Sequence, residues 1–190
     1  MAKLNKKKYK QALLYLASKI PFADHGRVKF YKLLYFADFN HYHEFGKSIT
    51  NESYRKLALG PAPCHYQQII DELQSEGAAE IGSLPVAPQY QDRETLRPKV
   101  PYDESMFTLE ELATLKEVAE YYGRMTGNDL TAISHQDPPW LLAEEAELLD
   151  YDDTWYRHDP ALDEGPDPIA DALAESGIVE ELEKKFGRKQ

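Results

Sequence analysis

The sequence predicts a mainly α (α+β) fold: a compact helical domain with a small β-hairpin or short sheet, followed by acidic helices at its C-terminal end. In residues 4–20 and again in 66–73, apolar side chains recur every three or four positions, the period of a helix with one buried face. The stretch RVKFYKLLYFADFNHYHEF at 27–45 is apolar on more than one side, as expected of a helix enclosed by other elements. From Ala79 to Tyr102 four prolines, at 85, 88, 98 and 101, punctuate short β-compatible pieces such as Glu80-Ile81 and Gln89-Tyr90.

Taken in order, the first helix carries Tyr9, Ala12, Leu13, Leu16 and Ile20 on one side and stops at Pro21. The second, 27–45, ends at Gly46, a residue suited to a helix C-terminus. Ile49 to Leu59 has no clear period and fits either a short strand or a distorted helix. Gly60-Pro61 signals a turn, and Pro63 suits the first turn of a third helix running to about Glu76, where its missing N–H costs nothing. Tyr66, Ile69, Ile70 and Leu73 form that helix's buried stripe. An edge hairpin or irregular arm follows. Thr108-Leu109-Glu110-Glu111 is a capping box that starts a helix to about Tyr122, closed by Gly123. Asn128 can cap a short helix through Ser134, and Pro138-Pro139 can open another that carries Trp140, Leu141 and Leu148. Residues 1–150 thus read as one domain, 151–167 as an acidic Pro/Gly linker, and 168–190 as a helical extension with helices at Pro168 to Ser176 and Ile178 to Phe186.

A chain of 190 residues that is 42% hydrophobic and 12% aromatic can bury enough apolar area to offset the entropy of ordering it. Cys64 is the single cysteine, which excludes an intrachain disulfide and a thiolate metal cluster and points to a reducing cytoplasm. No apolar run approaches the roughly 20 residues that span a bilayer, and MAKLNKKKYK lacks the apolar core of a signal peptide. The expectation is a cytoplasmic protein without a membrane partner. The net charge of −11 is uneven: residues 141–190 hold 5 Lys and Arg against 15 Asp and Glu. Such a tail is repelled by phosphates and attracts basic partners, and it equally describes a solvated helical face.

No grouping reads as an active site, a metal site or a cofactor site. His41 and His43 point about 200° apart on one helix and cannot share a metal. Cys64-His65 lacks an oriented third group, so a nucleophile and base there are disfavoured. His135, after Ser134 and before Trp140, reads as a helix-end histidine hydrogen-bonded to backbone and packed on an indole. Glu144, Glu145 and Glu147 read as solvated carboxylates on an exposed helix face, not an acid/base pair. Neither GxGxxG nor GxxxxGK[ST] occurs. Lys3, Lys6, Lys7, Lys8 and Lys10 form a small basic cluster, and a winged-helix reading of Arg27 to Ala79 is weak.

KLLYFAD at 32–38, Tyr54 upstream of Gly60-Pro61, and Ser134-His135 followed by Trp140 together resemble the Panacea domain, a family that includes the SocA-type antitoxins. The resemblance covers roughly Tyr9 to Leu149. It implies a mainly helical domain with a small β element, and a protein that neutralises a toxin and is not an enzyme. It marks Lys32, Leu33, Tyr35, Asp38, Tyr54, Gly60, Pro61, His135 and Trp140 as family-motif residues that define the fold. The expected function is that of a type II antitoxin binding a cognate protein toxin. The alternatives are an adaptor that delivers the toxin to a host protease, or a DNA-binding autoregulator of its own operon, the one case in which nucleic acid is a partner. A hydrolase built on Cys64 or His135 ranks last. Candidate toxin contacts are Tyr151, Trp155, Tyr156, Glu180, Glu181 and Phe186, because aromatic anchors carry interface energy and charge sets encounter rate.

Overall fold

The computed structural model describes residues 3–85 and 92–157. Its helices are α1 (Lys6–Lys19), α2 (Arg27–Phe45), α3 (Tyr66–Ser75), α4 (Leu109–Tyr121), α5 (Gly127–Ser134) and α6 (Pro138–Leu142). Strands β1 (Tyr54–Arg55) and β2 (Ala62–Pro63) form one antiparallel pair, and β3 (Ala79–Leu84) and β4 (Arg93–Pro98) form another. The mainly helical α+β expectation holds.

The enclosed helix is α2. Phe30, Leu33, Leu34, Phe36 and Phe39 are buried on several of its sides, because α1, α4, α5 and β2 all pack on it. Its C-terminus turns at Gly46, whose φ of 67° lies in the left-handed region that costs a residue with a Cβ. The amphipathic α3 buries Tyr66, Ile69, Ile70 and Leu73 as its spacing requires. The capping box at Thr108 is complete: the Thr108 hydroxyl accepts from the Glu111 amide, and the Glu111 carboxylate accepts from the Thr108 amide. The chain then passes Gly123 within a 3-10 turn, Tyr122–Arg124.

Four local expectations need correction, and one left open resolves as a strand. Pro63 lies in β2, opposite Tyr54, and the Cys64 amide continues the pairing by donating to the Ser53 carbonyl, so α3 begins only at Tyr66. The open segment 49–59 contains a strand because Tyr54–Arg55 has that partner across the Gly60 turn. The cap of α5 is Thr126, not Asn128; Thr126 and Asp129 form a capping box with the spacing of Thr-x-x-Glu and an acid side chain one methylene shorter. Helix α6 stops at Leu142, and Glu144 to Glu147 form a turn in which the Glu144 amide donates to the Glu147 carboxylate. Those glutamates are exposed but not helical, and Leu148 instead bridges to Arg55.

Residues 151–156 are not linker. Asp152–Tyr156 is a 3-10 helix with Thr154 buried, and Tyr151 stacks on Phe39 with ring centroids 4.1 Å apart. The contacts divide the chain into residues 1–156 and 157–190. The rest of the expected linker, the helices expected at 168–176 and 178–186, and Gln89-Tyr90 lie outside the described residues. Among the described residues no helix is long and apolar enough to cross a membrane.

Candidate functional site

Lys32, Tyr35 and Asp38 are three residues apart, so they share one stripe of α2. All three are buried, and burying a polar group costs free energy unless it is bonded. Each fastens a different segment to α2. The Lys32 amine donates to the Pro61 carbonyl (2.9 Å), the Tyr35 hydroxyl donates to the Asp137 carboxylate (2.7 Å), and Asp38 accepts from the Thr50 amide (2.8 Å), the Thr50 hydroxyl (2.5 Å) and the Tyr54 hydroxyl (2.8 Å). The stripe is a polar spine that pins the loop after α2, the Gly60-Pro61 turn and the start of α6.

Burial dominates the acidity of both ends. It pushes the Asp38 carboxyl up to about 6 despite the bonds from Thr50 and Tyr54, and it pulls the Lys32 amine down to about 7 with no carboxylate to offset it. Gly60 closes the turn with φ of 89°. A Cβ there would stand 2.7 Å from both the Lys32 Nζ and the Ser134 Oγ. Glycine is therefore required twice over, by backbone conformation and by space. Leu33, the remaining motif residue of α2, is fully buried core.

His135 stacks on Trp140 with centroids 4.0 Å apart and planes 13° apart, and the Lys56 amine sits 4.1 Å from the centre of the indole. Burial, then Lys32 and Lys56, lower the imidazole pKa and keep the ring neutral. Its Nε2 and the Trp140 Nε1 have no hydrogen-bond partner, so the packing on the indole is as expected while Nε2 makes no backbone bond. The ring's stacking on the indole gives it a packing role. Cys64 is exposed, and desolvation and next the Glu52 carboxylate push its thiol pKa up, away from the thiolate form. His65 is held by Glu52 through Nδ1 (2.7 Å), and His41 is buried against Thr114 (3.0 Å). Among the described residues no group of three or more His, Cys, Asp or Glu could hold a metal.

Three of the five lysines of the N-terminal cluster are paired within the fold, while Lys3 and Lys7 are exposed. Lys6 pairs with Glu72 (2.7 Å), Lys8 with Glu111 (2.6 Å), and Lys10 with Glu72 (2.8 Å) and Glu76 (2.5 Å). Lys10 and Lys6 hold the Glu72 carboxyl at about 2.

Of the expected partner contacts, Tyr151 belongs to the scaffold, since besides its stacking its hydroxyl donates to the Glu52 carbonyl (2.7 Å). Trp155 and Tyr156 are 57% and 67% exposed. They lie on a 3-10 helix that packs beside α6, whose Leu141 and Leu142 are 55% and 57% exposed. Glu180, Glu181 and Phe186 lie outside the described residues. Sequence reasoning missed the two leucines as surface groups, and it missed Asp137, Thr50 and Lys56 as partners of the motif. Only Asp137 carried a signal, an Asp directly before Pro-Pro, the pattern of a helix start.

Residues 30–141, more than half of the chain, match the family model described as antitoxin SocA-like, Panacea domain. Neither a curated protein nor a solved structure matches it.

Proposed function

Because the chain belongs to the SocA-like antitoxin family with a Panacea domain, we propose that it is the antitoxin of a type II toxin–antitoxin system and neutralises a cognate protein toxin by direct binding in the cytoplasm, without catalysis of its own. The observation that carries the binding part is the contrast in where polar and apolar groups go. The motif's charged and hydroxyl groups are consumed in pinning loops to α2, while Leu141, Leu142, Trp155 and Tyr156 remain in water. Exposed aromatic and leucine side chains gathered on neighbouring elements mark interaction surfaces in folded proteins.

The ion pairs of Lys6, Lys8 and Lys10 weigh against the autoregulator reading, since they leave Lys3 and Lys7 as the exposed lysines of the cluster. The exposed side of α3 carries Gln67, Gln68, Asp71 and Gln74 and no Lys or Arg, which disfavours a winged-helix recognition role. The experiment is co-expression of this chain with the product of the adjacent reading frame under separate inducers, followed by purification through a tag on one partner. Growth arrest by the neighbour alone, with rescue and co-purification, is the expected result. Rescue that needs a host protease and leaves no stable complex would replace sequestration with delivery by an adaptor. A harmless neighbour would overturn the reading.

A further inference from the structure

The exposed surface on α6 and the 3-10 helix Asp152–Tyr156 has a chemical character that narrows what can cover it. Around its apolar centre stand Glu144, Glu145 and Glu147 on the turn after α6, and Asp150, Asp152 and Asp153 on the next segment. The Asp153 carboxyl shows the crowding: its own burial, and then Asp150, Asp152 and Glu147, make it harder to ionise. Arg55 and Lys56, which donate to the backbone carbonyls of Ala146 and Ala143, bring two positive charges against these six carboxylates, so the rim stays net negative. Beside the surface lies a cavity of about 470 Å³ lined by Tyr42, Lys47, Ser48, Leu148, Asp150 and Tyr151. Tyr42 belongs to both, its ring 6.4 Å from that of Trp155 and its hydroxyl donating to Asp152 (2.5 Å).

We propose that this surface docks a cationic amphipathic segment of the partner. Apolar side chains of the segment seat on Leu141, Leu142, Trp155 and Tyr156, and its Lys and Arg side chains meet the acidic rim. An acidic segment would be repelled there, and a purely apolar one would strip water from the carboxylates without replacing it. The proposal rests on the reading of the chain as a toxin-binding antitoxin and adds the chemistry of the contact.

The test titrates the full chain with two synthetic amphipathic helical peptides, one of Leu and Lys and one of Leu and Glu, at low and raised salt. It is repeated on Leu142→Ser/Trp155→Ser and on Glu147→Gln/Asp153→Asn, with thermal unfolding run on each variant. The Lys peptide is expected to bind, more weakly at raised salt. Its affinity should fall by about tenfold or more in the first variant and several-fold in the second. The Glu peptide should not bind, and the unfolding midpoints should stay put. Equal binding of both peptides overturns the proposal. So does binding untouched by either pair of substitutions, which would assign it to the acidic residues beyond 157. A concentration-dependent dimer abolished by the first variant would make this a self-association surface and also overturn it. The same variants enter the growth assay: rescue as strong as the parent's sinks the surface and leaves the antitoxin reading standing, whereas peptide binding as expected beside a harmless neighbour does the reverse.

Discussion

The spine of α2 and the surface on α6 contain similar residue types, aromatic rings and carboxylates, put to opposite uses. In the spine, Tyr35, Tyr54 and Asp38 are fully buried and their polar atoms are matched inside the fold. On the surface, Trp155 and Tyr156 stand in water and the carboxylates around them crowd one another. A buried polar group that is fully bonded specifies one arrangement of the chain, while an exposed aromatic is available to another molecule. The recognisable motif therefore reports on how the domain is built, and under the proposed function the residues that distinguish its partner lie elsewhere.

The sharpest way to break that contrast is to remove the acceptor at the end of the spine. Asp38→Ala leaves the Thr50 amide and hydroxyl and the Tyr54 hydroxyl, three buried donors, without this acceptor, so a loss of about 3–5 kcal/mol is expected in chemical denaturation. Gly60→Ala comes next, at about 2–3 kcal/mol, from a left-handed backbone and a Cβ driven against the Lys32 amine and Ser134 hydroxyl. A denaturation midpoint within error of the parent for either variant would show that the motif does not pin the loops.

Lys32 gives a smaller, pH-dependent effect. Its amine has a pKa of about 7 in the folded protein against 10.5 in the unfolded chain, so the folded state binds that proton more weakly. Its contribution to stability is whole above pH 10.5, fades as pH falls towards 7 and is absent below 7. Parent stability is expected to rise between pH 7 and 9 by up to about 1 kcal/mol per pH unit from this group, and Lys32→Met should flatten that rise. Asp38 works in the other direction. With its pKa raised from 3.8 to about 6, its contribution is whole below pH 3.8 and is lost as pH rises to 6. At the far end, Trp155→Ala should change stability by no more than about 0.5 kcal/mol, since the residue is exposed, while weakening the partner complex.

Periodicity made the helices legible where tertiary packing agreed with it. The end of α1 follows from Pro21, the extent of α2 from its apolar run and Gly46, and the cap of α4 from Thr108 and Glu111. It failed where a long-range partner decided the local structure. Pro63 suits a first helical turn, and the pairing with Tyr54 across the Gly60 turn makes it a strand residue instead. Tyr151 to Tyr156 carry linker composition, yet Phe39 offers Tyr151 a stacking face that no local rule reveals. The motif residues were visible as a set, but their roles depended on Thr50, Pro61 and Asp137, distant in sequence from α2. The exposed leucines were hidden because α6 is too short to display a period.

The division between a scaffold spine and a recognition surface is tested most directly by measuring the affinity of the adjacent reading frame's product for the parent and for Trp155→Ala, with thermal unfolding of both. The expected result is an affinity at least about tenfold weaker in the variant with an unchanged unfolding midpoint. Equal affinities, with the complex intact, would place recognition on another face and contradict the account.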